Sequence, residues 1–366
     1  IMAALREMPG VTEVIGSGET KTSIRLEGGL AVDLRVVEPS AFPFALMYFT
    51  GSKEHNIVMR RLAKEHGYSL NEYDFTKLDS GAALLLEDEA KVFEFLGLSF
   101  IPPELREDTG ELDAARSGEL PSLVTCDDIQ GVLHIHTRAS DGAATIPQLC
   151  KEALALGHSY IGISDHSKAA FYANGLDEER LAAQAEEIAA AREKFPGLRI
   201  FHGIEADILP SGEVDLDPSA LASLDFVIAS VHSVLGMDRE TMTARLLKAI
   251  AHPAVKVLGH PTGRILLGRK GYSFDWEAVL SAAKEHGVAL ECNANPQRLD
   301  LDWIHVKRAK EQGVKICINP DAHSVAGLRD TRHGVLTARR GWAEAKDIVN
   351  TLPADRFATE FLGLEA

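Results

Sequence analysis

Six histidines and three carboxylates in this chain fall at spacings suited to holding metal ions. His134 and His136 stand one residue apart, and Asp321 and His323 repeat that step. Alternate side chains of an extended strand share a face, so each pair presents two donors to one ion. Asp141, His166, Glu205, His232 and His260 add further candidates, each at or just past the end of an apolar run. Imidazole and carboxylate together suit zinc, manganese or iron. Nine donors exceed what one four-coordinate ion takes. They fit two or three divalent ions with a carboxylate between them. Clustered ions activate water and stabilise both oxygens of a phosphoryl displacement, so the expected chemistry is phosphoester hydrolysis.

A lone histidine at a strand end is more often a hydrogen-bonded structural residue. Here six separate apolar runs end in His, Asp or Glu, which makes a shared centre the better reading. His55, His66, His158, His202, His252, His286, His305 and His333 lie elsewhere and are read as structural or solvated. Asp165 is either a ligand or an outer acceptor. The run ending Glu291-Cys292-Asn293-Ala294-Asn295 offers no clear ligand and reads as wall or outer support.

The elements that must position these residues alternate regularly. Apolar strands appear at GVLHIHT, YIGISDH, LRIFHGIEA, LDFVIASVH, VKVLGH, GVALECNA and GVKICINPDAH. Helical runs lie between most of them, such as TIPQLCKEALALG and WEAVLSAAKEHG. Strand and helix in alternation imply a parallel sheet with right-handed crossovers, covered on both faces. An open doubly wound sheet is one solution. A closed barrel is favoured because it gathers the polar strand ends on one face. The expected class is therefore α/β: a barrel of about seven strand–helix repeats over residues 128–345, with a C-terminal tail at 346–366. Residues 1–77 form a separate small α+β unit, with a hairpin around Gly28-Gly29 and a helix ending near Gly67. Residues 78–127, with acidic clusters and Pro102-Pro103, read as a connecting segment carrying some helix near EDEAKVFEFLG.

The bulk numbers narrow the class. The four cysteines lack C-x-x-C spacing, which argues against a disulfide framework or thiolate zinc site and fits a reducing cytoplasm. No stretch approaches the ~20 apolar residues that span a bilayer. Net charge is −16, unpromising for general nucleic-acid binding. Bound cations would offset that charge locally, so DNA stays open as a substrate. The chain starts at Ile1 and reads as a piece of something longer.

The set H-x-H, S-D-H, a lone Glu, two isolated His and D-x-H resembles the polymerase and histidinol phosphatase (PHP) family in order and type. The resemblance spans residues 128 to about 325. It implies a distorted (β/α)7 barrel and three metals: one on His134, His136, Glu205 and Asp321, a second on Glu205, His232 and His260, a third on Asp141, His166 and His323. GSGETKTSIRLEGGLAVDLRVV and YFTGSKEHN resemble the palm end and thumb of bacterial family X DNA polymerases, which carry a PHP domain. Asp33 then matches a palm catalytic carboxylate, and Tyr48 to Gly51 the stretch that meets the nucleotide sugar. Two further palm aspartates are missing. Asp215-Leu216-Asp217 and Asp300-Leu301-Asp302 lie in the barrel region and read as loop carboxylates, so polymerisation by this chain is not expected.

The expected function is a 3′→5′ exonuclease acting on single-stranded or gapped DNA ends in repair, with abasic-site cleavage as a related activity. Glu205, Asp321, His134 and His136 would be central to it. Arg138, Arg264, Arg269 and Lys270 would grip the DNA backbone, or stand as solvated loop charges. Two rivals are a small-molecule phosphomonoesterase and a non-catalytic scaffold.

Overall fold

The structure, a computed structural model, describes residues 1–365. The chain divides into two compact units, Ile1–Leu120 and a second beginning at Pro121.

The first unit opens with α1 (Met2–Arg6) and an antiparallel meander of β1 (Val11–Ser17), β2 (Lys21–Leu26) and β3 (Ala31–Arg35). The β2–β3 hairpin turns at Gly28 and Gly29, whose φ of +82° and +88° favours glycine. Next come α2 (Phe42–Thr50) and α3 (Lys53–Glu65), the latter begun by Ser52 accepting from His55 N at 3.2 Å. A small hairpin of β4 (Tyr68–Leu70) and β5 (Phe75–Lys77) precedes α4 (Glu89–Phe95) and α5 (Glu111–Ser117).

Residues 78–120 are not a connecting segment. Phe93, Leu96, Ile101 and Leu105 are buried in the first unit. Two buried polar pairs tie them in: Glu111 with His55 on α3 at 2.8 Å, and Arg106 with Glu89 at 2.5 Å. A charge-rich stretch looks solvated in sequence, yet paired charges can be buried.

The second unit holds β6 (Gly131–Val132), α6 (Ile146–Ala155), β7 (Tyr160–Ile163), α7 (Glu178–Lys194), β8 (Arg199–Asp207), α8 (Pro218–Ala222) and β9 (Phe226–Ser230). It continues with α9 (Arg239–Ile250), β10 (Val255–Leu258), α10 (Trp276–His286), β11 (Ala289–Asn293), α11 (Trp303–Gln312), β12 (Ile316–Asn319) and α12 (Thr331–Arg340). The seven strands lie in chain order, β6 to β12, all parallel. One apolar cluster fills the space between strands and helices, and a second, with Tyr160, Phe201 and Phe226, fills the barrel interior. β8 shows the logic of the inner face. Phe201 plugs the floor, Gly203 makes room for the Phe226 ring, and Glu205 reaches the mouth.

The barrel is nearly closed rather than continuous. Past β6 and β12, Ile135 and Ala322 form a parallel bridge, and Leu133 N donates to Asn319 Oδ1 at 2.9 Å. At the opposite end, Asn350 donates to Gly131 O at 2.9 Å and accepts from Ile318 N at 3.0 Å. Val349, Phe357 and Leu362 pack under the interior cluster. Residues 346–365 thus form the floor of the barrel and are not a tail.

Candidate metal centre

GVLHIHT is strand only at Gly131–Val132, so His134 and His136 sit on irregular backbone at the barrel mouth. Asp165, His166, Asp321 and His323 likewise lie just past β7 and β12. All nine candidate ligands nevertheless gather there. Glu205 is at the centre. Its Oε2 lies 2.9 Å from His166 Nδ1, 3.3 Å from His134 Nε2 and 3.6 Å from His136 Nε2. Its Oε1 lies 2.9 Å from His260 Nε2 and 3.2 Å from His232 Nε2. Asp321 Oδ1 stands 3.2 Å from His136 Nε2 and 3.5 Å from His134 Nε2. Asp141 faces His323 at 3.4 Å and His166 at 3.7 Å.

Three groups of side chains could each hold an ion: His134, His136 and Asp321; His166, Glu205 and His232; and His136, Asp141, His166 and His323. Compared with the expected grouping, His136 also joins the outermost set, and His166 also faces Glu205. His260 reaches the centre through Glu205 and belongs to none of the three groups. Buried polar atoms without hydrogen-bond partners include His134 Nε2, His136 Nε2, His166 Nδ1, His232 Nε2 and Glu205 Oε2. Buried polar groups are nearly always satisfied. Five orphaned donor atoms converging on one point fit a set of bound cations.

A profile of the PHP domain matches residues 133–295, and one of the DNA polymerase β thumb matches residues 45–107. A DNA polymerase/3′-5′ exonuclease PolX of Bacillus subtilis (strain 168) is 41% identical over 94% of this chain and 61% of its own length. A probable phosphatase of Thermoanaerobacter sp. (strain X514) is 34% identical, matching 52% of this chain and 77% of that protein. The chain belongs to the PHP family. It spans about three fifths of the Bacillus relative. Asp321 and His323 lie beyond the matched PHP segment, and the fold itself brings them to the centre.

The PHP centre rests on buried outer supports. Glu291 accepts from His134 Nδ1 and from His260 N, both at 2.7 Å. Asp207 pairs with His232 Nδ1 at 2.7 Å. Each fixes the imidazole that turns its Nε2 inward. Asp207 went unnoticed in the sequence, although it continues the inward alternation of Phe201, Gly203 and Glu205. Asp165 is an outer acceptor. It takes Thr137 N and Thr137 Oγ1 at 2.7 Å each and Gln184 Nε2 at 2.5 Å, and so sets the loop between His136 and Asp141. Two candidate ligands occupy strained backbone, with φ of +50° at Asp321 and +24° at His260.

Burial alone would raise the carboxyls of Glu205 and Asp321. The surrounding imidazoles, His134 foremost, instead hold both well below the usual range. Burial would also lower His232, but Glu205 and Asp207 together outweigh it and lift the group to about 10. The centre is anionic and calls for positive charge.

The expected DNA-gripping residues divide. Arg138 is exposed and its Nε donates to Ala143 O at 2.9 Å, while Lys270 is exposed. Arg269 donates twice to Gly263 O. Arg264 spends its guanidinium on Arg298 O, Leu299 O and Asp302, so it braces a loop and is not free to grip. Arg298, missed in the sequence, has its Nε 3.2 Å from Asp321 Oδ2. Phe171 and Tyr172 are 86% and 63% exposed, and the Tyr172 ring centroid is 6.4 Å from that of His166. Asp215 and Asp302 serve loops as read, accepting from Ala169 N and His305 N, the latter as the cap of α11. In the first unit, Asp33 pairs with Lys21 at 3.0 Å, Tyr48 is half-buried on α2, and Gly51 follows that helix at φ +73°. Among the described residues, metal-holding groups occur only in the barrel. Among the same residues, no helix is long and apolar enough to cross a membrane.

Proposed function

We propose that this chain is a metal-dependent phosphodiesterase that removes nucleotides from DNA 3′ ends, the 3′-5′ exonuclease activity for which the Bacillus relative is named. The observation that carries the reading is Glu205, whose two oxygens each face a different set of histidines. His134, His136, Asp141, His166, Glu205, His232, His260, Asp321 and His323 would hold two or three divalent ions, zinc, manganese or iron. Such ions supply an activated water and neutralise charge developing on phosphate oxygens. Glu205 and Asp321 stay ionised and buried, so they hold the anionic side of the centre in place. Glu291 and Asp207 keep His134 and His232 in one orientation, so no reorganisation is needed during the reaction.

DNA as substrate is supported by the polymerase-type thumb sequence and by the exposed Phe171–Tyr172 pair, a surface on which a base can stack. The relatives described as probable phosphatases keep a small phosphomonoester as the second reading. Asp321→Ala and chelator should each abolish digestion of 3′-end-labelled DNA. Full digestion in both would refute hydrolysis at this centre. Faster turnover of p-nitrophenyl phosphate than of an oligonucleotide would favour the second reading. Loss of neither ion nor fold with no hydrolysis of any ester would leave a scaffold.

A further inference from the structure

We propose that Arg298 and the cavity beside it form the seat of a deoxynucleoside 5′-monophosphate unit, the guanidinium gripping the phosphate and the cavity taking the nucleoside. This deepens the exonuclease reading and rests on it.

The argument begins with an unpaired donor. Arg298 Nε lies 3.2 Å from Asp321 Oδ2, but its second arm, NH1, is buried with no hydrogen-bond partner. A guanidinium offers five N–H groups in a fixed fork and matches phosphate oxygens two at a time. A buried, charged donor left empty is costly, so its natural partner is a ligand. Asp321 meets the guanidinium at Nε, which leaves the other arm for an incoming anion.

The backbone around Arg298 is held in place. Its own N–H donates to Asn295 O at 2.8 Å, and its carbonyl accepts from Arg264 Nε at 3.0 Å. Arg264 is therefore a positioning residue for Arg298. The adjoining cavity measures about 540 Å³, within the ~300–1,000 Å³ typical of small-molecule sites. Asn295, Gln297, Arg298, His323, Ser324 and Asp330 are among its lining residues. Amide, hydroxyl and carboxylate groups suit a sugar and base edge better than an apolar ligand.

The alternative role for Arg298 is to steady Asp321 and nothing more. The test uses the full chain loaded with manganese and measures equilibrium binding of inorganic phosphate and of dAMP by calorimetry, with metal content determined in parallel. Wild type should bind dAMP at least tenfold tighter than phosphate. Arg298→Gln should weaken both by tenfold or more with metal content unchanged, and Arg298→Lys should fall between. Binding within twofold of wild type in Arg298→Gln overturns the proposal. So does loss of metal from both variants, which would assign Arg298 to Asp321 alone. Equal affinity for phosphate and dAMP overturns the nucleoside cavity. These readouts need no DNA digestion. A wild type that binds dAMP as stated but leaves oligonucleotides intact refutes the exonuclease reading and not this seat.

Discussion

The carboxylate of Glu291 is fully buried and accepts from four groups: His134 Nδ1, His260 N, Asn293 Nδ2 and Asn319 Nδ2. Replacing it with Gln keeps the shape but removes the charge that orients His134. Loss of such an outer support costs about 10–100-fold in metal affinity. Glu291→Gln should therefore weaken manganese binding by that factor in a chelator competition titration, while unfolding remains cooperative; unchanged affinity would detach Glu291 from the centre. At the mouth, Tyr172→Ala and Phe171→Ala should raise KM for an oligonucleotide roughly tenfold, as loss of a ~1–3 kcal/mol stack implies, and leave p-nitrophenyl phosphate kinetics alone. An equal effect on both substrates would remove the stacking role. The nine ligand candidates were legible because their residue types are rare at strand ends. The run ending at Glu291 reads as wall or outer support, but its partner does not show in the sequence, since His134 lies 157 residues away and only closure of the barrel joins them. Arg298 was hidden in the same way behind its contact with Asp321.

At the scale of elements, the weak point is the seam between β6 and β12. Asn350 spans it at the floor, donating to Gly131 O and Ile318 O and accepting from Ile318 N, and it is fully buried. Asn350→Ala leaves those backbone groups without partners. Each orphaned buried group costs about 1–3 kcal/mol, so the variant should lose roughly 2–5 kcal/mol in urea unfolding. A loss under about 1 kcal/mol would show that the bridge at the mouth holds the seam unaided. Gly203 is the companion case: a Cβ there would lie 2.4 Å from the Phe226 ring, so Gly203→Ala should also destabilise, by ~1–3 kcal/mol. The seven apolar strands and the helices between them were readable from periodicity and length. The floor was not, because residues after 345 lack strand or helix periodicity and are fixed by Asn350 and a few aromatics. The segment 78–120 was missed for a related reason, its buried Arg106 and Glu111 being residue types that usually mark solvent.

For the molecule as a whole, protons and metal ions compete for one anionic centre. Without metal, burial would lower His323, but Asp141 and Asp321 together outweigh it and raise the group to about 9, as Glu205 and Asp207 raise His232 to about 10. A histidine whose folded pKa is raised stabilises the fold fully below its ordinary value of 6.5. That contribution fades as pH climbs through about 9 to 10. The metal-free protein should thus weaken across this window, as Glu205 and its neighbours lose their imidazolium partners. Metal binding runs the other way. Ligating imidazoles must be neutral, so each ion displaces protons, and apparent affinity rises up to tenfold per pH unit for each proton displaced. The difference in Tm between manganese-loaded and chelator-treated protein should therefore widen from pH 6.5 to pH 9.5. Calorimetric titrations in buffers of different ionisation enthalpy should register proton release near pH 8. A Tm gap that stays flat or narrows, with no proton release, would mean that His232 and His323 do not meet the ions. The outer ligand set would then have to be drawn again around the carboxylates alone.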